Sequence, residues 1–201
     1  MSTPTVSCER PPVYSAPMTI RPIVTLGDAR LSRRGERVRT FDKTLHRLLD
    51  DMVDTMRDAP GVGIAAHQVG VVLQVCVIEV EGHLHELVNP RLVSRGGEDH
   101  DLEGCLSVPG FYAYRTRAER AVIEAQDRHG RKVRLVGTGL LARAMQHEFD
   151  HLQGELYLDA LGPEADLIPA ARLREADEAE EEAAAAAGAA TGDPEALAAV
   201  E

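Results

Sequence analysis

A chain of 201 residues, 44% hydrophobic and 27% charged, suffices for one domain that buries about two-thirds of its unfolded surface, and is too short for two generous ones. Trp is absent and aromatics make up 3%, so the core is expected to be aliphatic. Of the net charge of −11, residues 164 to 201 alone carry −9, and no basic footprint draws either part of the chain to DNA or to an anionic membrane.

No run approaches the roughly 18 apolar residues of a membrane span, and the opening MSTPTVSCERPPVYSAP lacks the positive-then-apolar order of a secretory signal. Cys8, Cys76 and Cys105 are odd in number and irregular in spacing, which suits free thiols in a reducing compartment. A cytoplasmic protein is expected.

In chain order, residues 1 to 17 are rich in Pro and Ser and read as an extended arm. From Phe41 the residues Leu45, Leu48, Leu49, Met52, Val53 and Met56 recur at helical spacing, with Thr40 as N-cap and Pro60-Gly61 as stop. Strands are predicted over 72–80, 84–89, 120–127 and 131–136, the last two joined by a turn at Arg128-His129-Gly130. Short connections between consecutive strands imply antiparallel pairing.

A second helix is predicted from near Thr138 to Gly154, a C-terminal stop. Leu140, Leu141, Ala144, Met145, His147, Glu148, His151 and Leu152 fall on one arc, with Arg143, Gln146, Asp150 and Gln153 opposite. Beyond Pro163 the composition turns to Ala and Glu without an apolar stripe. The expected division is therefore an arm at 1–17, a catalytic body at 18–163 and an acidic tail at 164–201 that contributes little to core or site.

Two His and a Glu on the buried side of a helix are costly unless something satisfies them. In His147-Glu148-Phe149-Asp150-His151 the two His lie about 6 Å along and about 40° around the helix from one another, so both can reach one cation. Glu148 projects beside that cation, placed to handle the proton of an activated water rather than to ligate. A catalytic site needs a third protein ligand, and Cys105 in the polar segment Glu103-Gly104-Cys105-Leu106-Ser107 is the best candidate. Cys76, inside an apolar strand, reads as a small core residue, and His83 and His85 read as solvent-facing.

Three segments, G-V-G-I-A-A-H-Q (61 to 68), E-G-C-L-S (103 to 107) and Q-H-E-F-D-H-L-Q-G (146 to 154), resemble the signature motifs of the peptide deformylases, in order and at family-like spacing over residues 18 to 162. The resemblance implies a compact α+β single domain with antiparallel sheets flanking a central metal-binding HExxH helix. It also implies removal of formate from N-formylmethionyl nascent peptides, with the ribosome near its exit tunnel as a partner. It places the Gln68 amide and the Leu106 backbone N–H on the developing oxyanion, with Glu148 accepting a proton and delivering it to the leaving amine. Gly61 and Gly63 then admit the substrate backbone as an added strand, and Val62, Leu140 and Ala144 line the methionine pocket. The cation implied is Fe²⁺, with Zn²⁺, Ni²⁺ or Co²⁺ compatible with the same donors.

Some roles stay open at this level. Glu103 either orients a metal ligand or pairs with an Arg such as Arg117, and Asp150 either hydrogen-bonds His147 or lies exposed. Gln146 is a rival amide turned away from the metal. Tyr112 stands where many family members carry an Arg, and the C-terminal extension is acidic where some members have a basic, ribosome-docking one. An ordinary zinc endopeptidase and a non-catalytic metal-binding protein are the competing readings.

Overall fold

The computed structural model describes residues 19–162, 165–176 and 178–179, so the expected arm and most of the expected tail lie outside the described residues. Helix α1 spans Lys43–Asp58. Its N-cap is Asp42, two residues beyond the expected Thr40, and the Asp42 carboxylate accepts from the backbone N–H groups of Thr44 and Leu45 at 2.9 and 3.1 Å. Leu49, Met52 and Met56 are wholly buried on its inner face, where truncation of one such side chain to Ala costs about 2 to 5 kcal/mol.

Strand β1 (Gly63–Ala65) leads through a short 3-10 helix (Ala66–Val69) to β2 (Val75–Val80), β3 (His83–Gly96), β4 (Asp99–Cys105), β5 (Val108–Arg117), β6 (Arg120–Gln126) and β7 (Lys132–Thr138). Helix α2 (Gly139–Gln153) follows, then β8 (Ile168–Pro169), with helical residues from 170 to 176 after it. Every pairing within the two sheets is antiparallel, in the orders β1-β2-β3-β6-β7 and β4-β5-β8.

Strand β2 explains the core. Val75 and Val77 face α1 through the cluster of Leu49, Met52 and Ile64, while Cys76 and Ile78 face α2 through the cluster of Ala142, Met145 and Leu152. A strand covered on both faces reads as an unbroken apolar run, and period-two alternation assigns successive residues to opposite helices. Residues 72–74, expected in this strand, precede it, and Leu73 instead bridges Glu36.

Strand β3 runs past the expected end at Asn89, because a register shift between Val88 and Arg91 accommodates Asn89 at φ 52° and Pro90, which has no N–H to give. The Asn89 amide accepts from the Val38 N–H at 2.8 Å and donates to the Val38 carbonyl at 3.0 Å, replacing the ladder bonds lost there.

Ile168 and Pro169 pair with Tyr112 and Phe111 of β5, so chain beyond residue 163 extends the smaller sheet. That pairing does not involve Cys105, His147, Glu148 or His151, and truncation after Pro163 is expected to leave turnover on a short formylmethionyl peptide within about twofold. It should still cost about 1 to 2 kcal/mol in lost pairing, a fall of about 2 to 8 °C in Tm. Truncation after Ala179 keeps the pairing and should keep the Tm, and calorimetry on the two chains compares them.

Candidate active site

Helix α2 begins at Gly139 after Thr138 and ends at Gly154, whose φ of 85° lets its N–H return to the carbonyls of Asp150 and His151. Burial on this helix extends to His147, Glu148 and His151, which are 8%, 3% and 1% exposed. The Nε2 atoms of His147 and His151 lie 3.2 Å apart, and Cys105 Sγ at the end of β4 lies 3.2 Å from His151 Nε2. These three ligand atoms all fall within 4.8 Å of one another. Lone pairs gathered at one point repel unless a positive charge sits among them, so the donor set fits a cation.

The orientation of His147 gives the same answer from the other side of its ring. Its Nδ1 lies 2.7 Å from Glu103 Oε1, which leaves Nε2 free to face the cluster. Glu103 accepts two bonds from Arg117, at 2.9 and 2.6 Å, and one from Arg143 at 3.1 Å. Burial alone would raise the Glu103 pKa, but the Arg117 and His147 hydrogen bonds outweigh it and hold the carboxylate well below its ordinary range. Glu103 thus both orients the His147 ring and pairs with Arg117. Asp150 takes the Arg117 and Arg115 guanidiniums, at 2.7 and 3.2 Å.

Replacing Glu103 by Gln keeps the shape but leaves Arg117 and Arg143 short of a buried counter-charge. A loss of about 3 kcal/mol, or about 6 to 12 °C in Tm, is expected. A thermal midpoint unchanged from the parent chain would show that the buried cluster contributes nothing net.

Glu148 is held differently. Burial pushes its carboxyl up to about 7 before any cation's charge is added, and its Oε2 has no hydrogen-bond partner among the described residues. Gly63 makes its position possible, since a Cβ at Gly63 would stand 2.5 Å from Glu148 Oε1. Gln68 is clamped at its oxygen, which accepts from the Ala65 N–H at 2.8 Å, so its NH₂ group faces Cys105 Sγ at 3.6 Å. Leu106 follows Cys105 in the turn between β4 and β5, and a Cβ at Gly61 would meet the Leu106 side chain at 2.9 Å.

The polypeptide deformylase family model matches residues 20–166, most of the chain. The chain belongs to the polypeptide deformylase family. A peptide deformylase of Acidothermus cellulolyticus is 47% identical over 161 residues, covering 80% of this chain and 89% of that one. One of Thermomicrobium roseum is 40% identical over 182 residues, covering 85% and 99%. The crystal structure of a peptide deformylase from Legionella pneumophila aligns with TM-score 0.71 and 47% identity over 72% of this chain and 88% of that chain. As a family member the enzyme is a metal-dependent hydrolase that removes the N-formyl group from newly made polypeptides.

The deformylase cleft, about 560 Å³, is lined by the expected Gly61, Val62, Gly63, Gln68, Cys105, Leu106, Leu140, Ala144, His147 and Glu148. His151 stands behind them. Leu140, expected on the buried arc of α2, is 54% exposed and borders the cleft near the start of the helix, whereas Ala144 is buried. Val62 is 42% exposed beside β1.

Arg143 and Gln146, expected on the outer side of α2, are both 4% exposed. The helix has protein on that side too: Arg143 reaches Glu103 and the Asp99 carboxylate, and Gln146 exchanges hydrogen bonds with the backbone of Ala118. The sequence reading missed Arg143. Its partners Glu103 and Asp99 come from β4, and spacing along α2 alone carries no signal of them. Tyr112 packs across Gly104, where a Cβ would lie 2.6 Å from its ring. Cys76 is 1% exposed, as a core residue, and His83 is exposed while His85 is half-buried.

Proposed function

We propose that Cys105, His147 and His151 hold one divalent cation, Fe²⁺ in the cell, and that Glu148 moves the proton in hydrolysis of the formyl amide. The observation that carries this reading is the convergence of one Sγ and two Nε2 atoms, with the Glu148 carboxylate outside that group and its Oε2 without a hydrogen-bond partner among the described residues. A cation there supplies Lewis acidity and lowers the pKa of water towards neutrality. The iron assignment rests on the family resemblance, and Zn²⁺, Ni²⁺ and Co²⁺ suit the same donors.

Glu148 takes the proton of the attacking water on its carboxylate and delivers it to the departing amine nitrogen. The Gln68 NH₂ group and the Leu106 N–H donate to the oxygen that gains charge, where one such donor is worth about 3 kcal/mol. Both are neutral, so neither must first shed a proton. The Gly61–Gly63 edge takes the peptide as an added strand, and Val62, Leu140 and Ala144 form the wall against its methionine. Nascent chains leaving the ribosome in the cytoplasm are the proposed substrates. No helix among the described residues is long and apolar enough to cross a membrane.

The test compares formylmethionyl peptides with their unformylated counterparts, following formate and internal cleavage separately. Formate released from the formylated peptide alone is the expected result. Cleavage of internal bonds without formate would assign the site to an endopeptidase instead. Anaerobic purification with metal analysis decides the cation, and stoichiometric zinc at full activity would overturn iron.

A further inference from the structure

We propose that His67 is a positioning residue for this reaction: its ring, tied to the Arg33 carbonyl, fixes the 3-10 helix that aims the Gln68 amide at Cys105, His147 and His151. The inference rests on the oxyanion role given to Gln68 above.

His67 is wholly buried, and no step of the proposed chemistry uses it. Its Nε2 lies 2.9 Å from the carbonyl oxygen of Arg33. A carbonyl only accepts, so Nε2 carries the hydrogen and Nδ1 the lone pair. Burial pushes the ring's pKa down, which keeps that neutral form. The ring also packs on the backbone at Gly35, where a Cβ would come within 2.8 Å of His67 Cε1.

The same segment, residues 32 to 35, receives the end of α2. The Gly35 N–H donates to the Leu152 carbonyl at 3.0 Å, and a Cβ at Gly154 would lie 2.8 Å from the carbonyl carbons of Ser32 and Arg33. Gln74 Nε2 donates to both Gly35 O and Leu152 O, at 3.2 and 3.3 Å. Leu152 directly follows His151. One strip of backbone therefore locates the helix that supplies His147, Glu148 and His151, and through His67 it locates the short helix that supplies Gln68.

Gln68 Nε2 stands 3.6 Å from Cys105 Sγ, held there by the Ala65 N–H on its side-chain oxygen and by the placing of its short helix, whose Gln68 carbonyl also accepts from the Val24 N–H at 2.8 Å. A shift of about 1 Å in such a donor can cost about 10²-fold in rate. A histidine that merely fills space would influence stability but not the worth of Gln68, and that difference is measurable.

The test is a double-mutant cycle on the metal-loaded full chain, reading kcat on a short formylmethionyl peptide, cation stoichiometry and the absorption bands of the Co²⁺-loaded protein. His67→Phe keeps a flat buried ring without the N–H donor. Alone it should lower kcat at least about tenfold, with stoichiometry and cobalt bands unchanged. In a Gln68→Ala background it should lower kcat by less than about twofold, the sign of one shared interaction. His67→Gln, whose terminal amide can place a donor where Nε2 stood, should recover kcat to within about threefold of the parent.

An equal fold-loss in both backgrounds, or no loss from His67→Phe, would overturn the proposal. If Gln68→Ala alone leaves kcat unchanged, the role of Gln68 falls and this inference with it. Should His67→Phe not fold, His67→Gln against His67→Asn makes the same comparison. Asn holds its donor nearer the backbone and should lose activity that Gln retains, and equal kcat for Gln and Asn would count against the proposal.

Discussion

Glu148→Gln is expected to keep its full complement of cation and to lose between about 10² and 10⁴ of turnover, about 3 to 5 kcal/mol on the barrier. The separation follows from where the carboxylate stands. Cys105, His147 and His151 form the proposed ligand cluster without it, so removing its charge takes away none of these donors. Gln fills the same volume above Gly63, where space is so limited that a Cβ would already collide with the side chain. What Gln lacks is an oxygen able to accept and return a proton. Metal analysis beside steady-state kinetics tests both halves, and a near-parental kcat would remove Glu148 from the proton path.

Cys105→Ala should instead lose cation and turnover together. Two His remain, and a protein site with two ligands falls one short of the three that an open catalytic site needs. The Cys105 sulfur also accepts from the Ser107 N–H at 3.4 Å and the Gln68 NH₂ at 3.6 Å, so its removal withdraws the acceptor that both face. Cys105 is only half-buried, and the fold should survive, with a Tm change small beside the loss of activity. After dialysis against metal-free buffer, the expected variant holds far less than one cation per chain. A fully loaded variant would show that the third ligand lies elsewhere.

Much of this site could be read from residue spacing because α2 obeys simple helical geometry. Gly154 ends the helix in the left-handed conformation its sequence position suggests, and His147 and His151 share an arc at a spacing of four. Strands β4 and β5 were not legible, for a physical reason. Their inner face carries Glu103 and Arg117, buried because they pair with one another and with Arg143, His147 and Asp150, and the half-buried Arg115 beside them. A strand with charges turned inward shows no apolar alternation, and pattern reading passes over it.

The misplaced start of α1 has a similar cause: Thr40 and Asp42 are both good N-caps, and only the bonds of Asp42 to Thr44 and Leu45 distinguish them. The burial of Arg143 was hidden because a helical projection shows which residues share a side, not how many sides are covered. Gly63 was expected to make room for substrate backbone, and the close approach of Glu148 gives it a second reason to lack a side chain.

Anomalous diffraction from crystals of the metal-loaded protein, recorded at the absorption edge of the cation found by analysis, tests the ligand assignment most directly. One peak is predicted, about 2.3 Å from Cys105 Sγ and about 2.0 to 2.1 Å from His147 Nε2 and His151 Nε2, with both Glu148 oxygens farther away. A peak elsewhere, or one bonded to Glu148 in place of any of the three, would contradict the account.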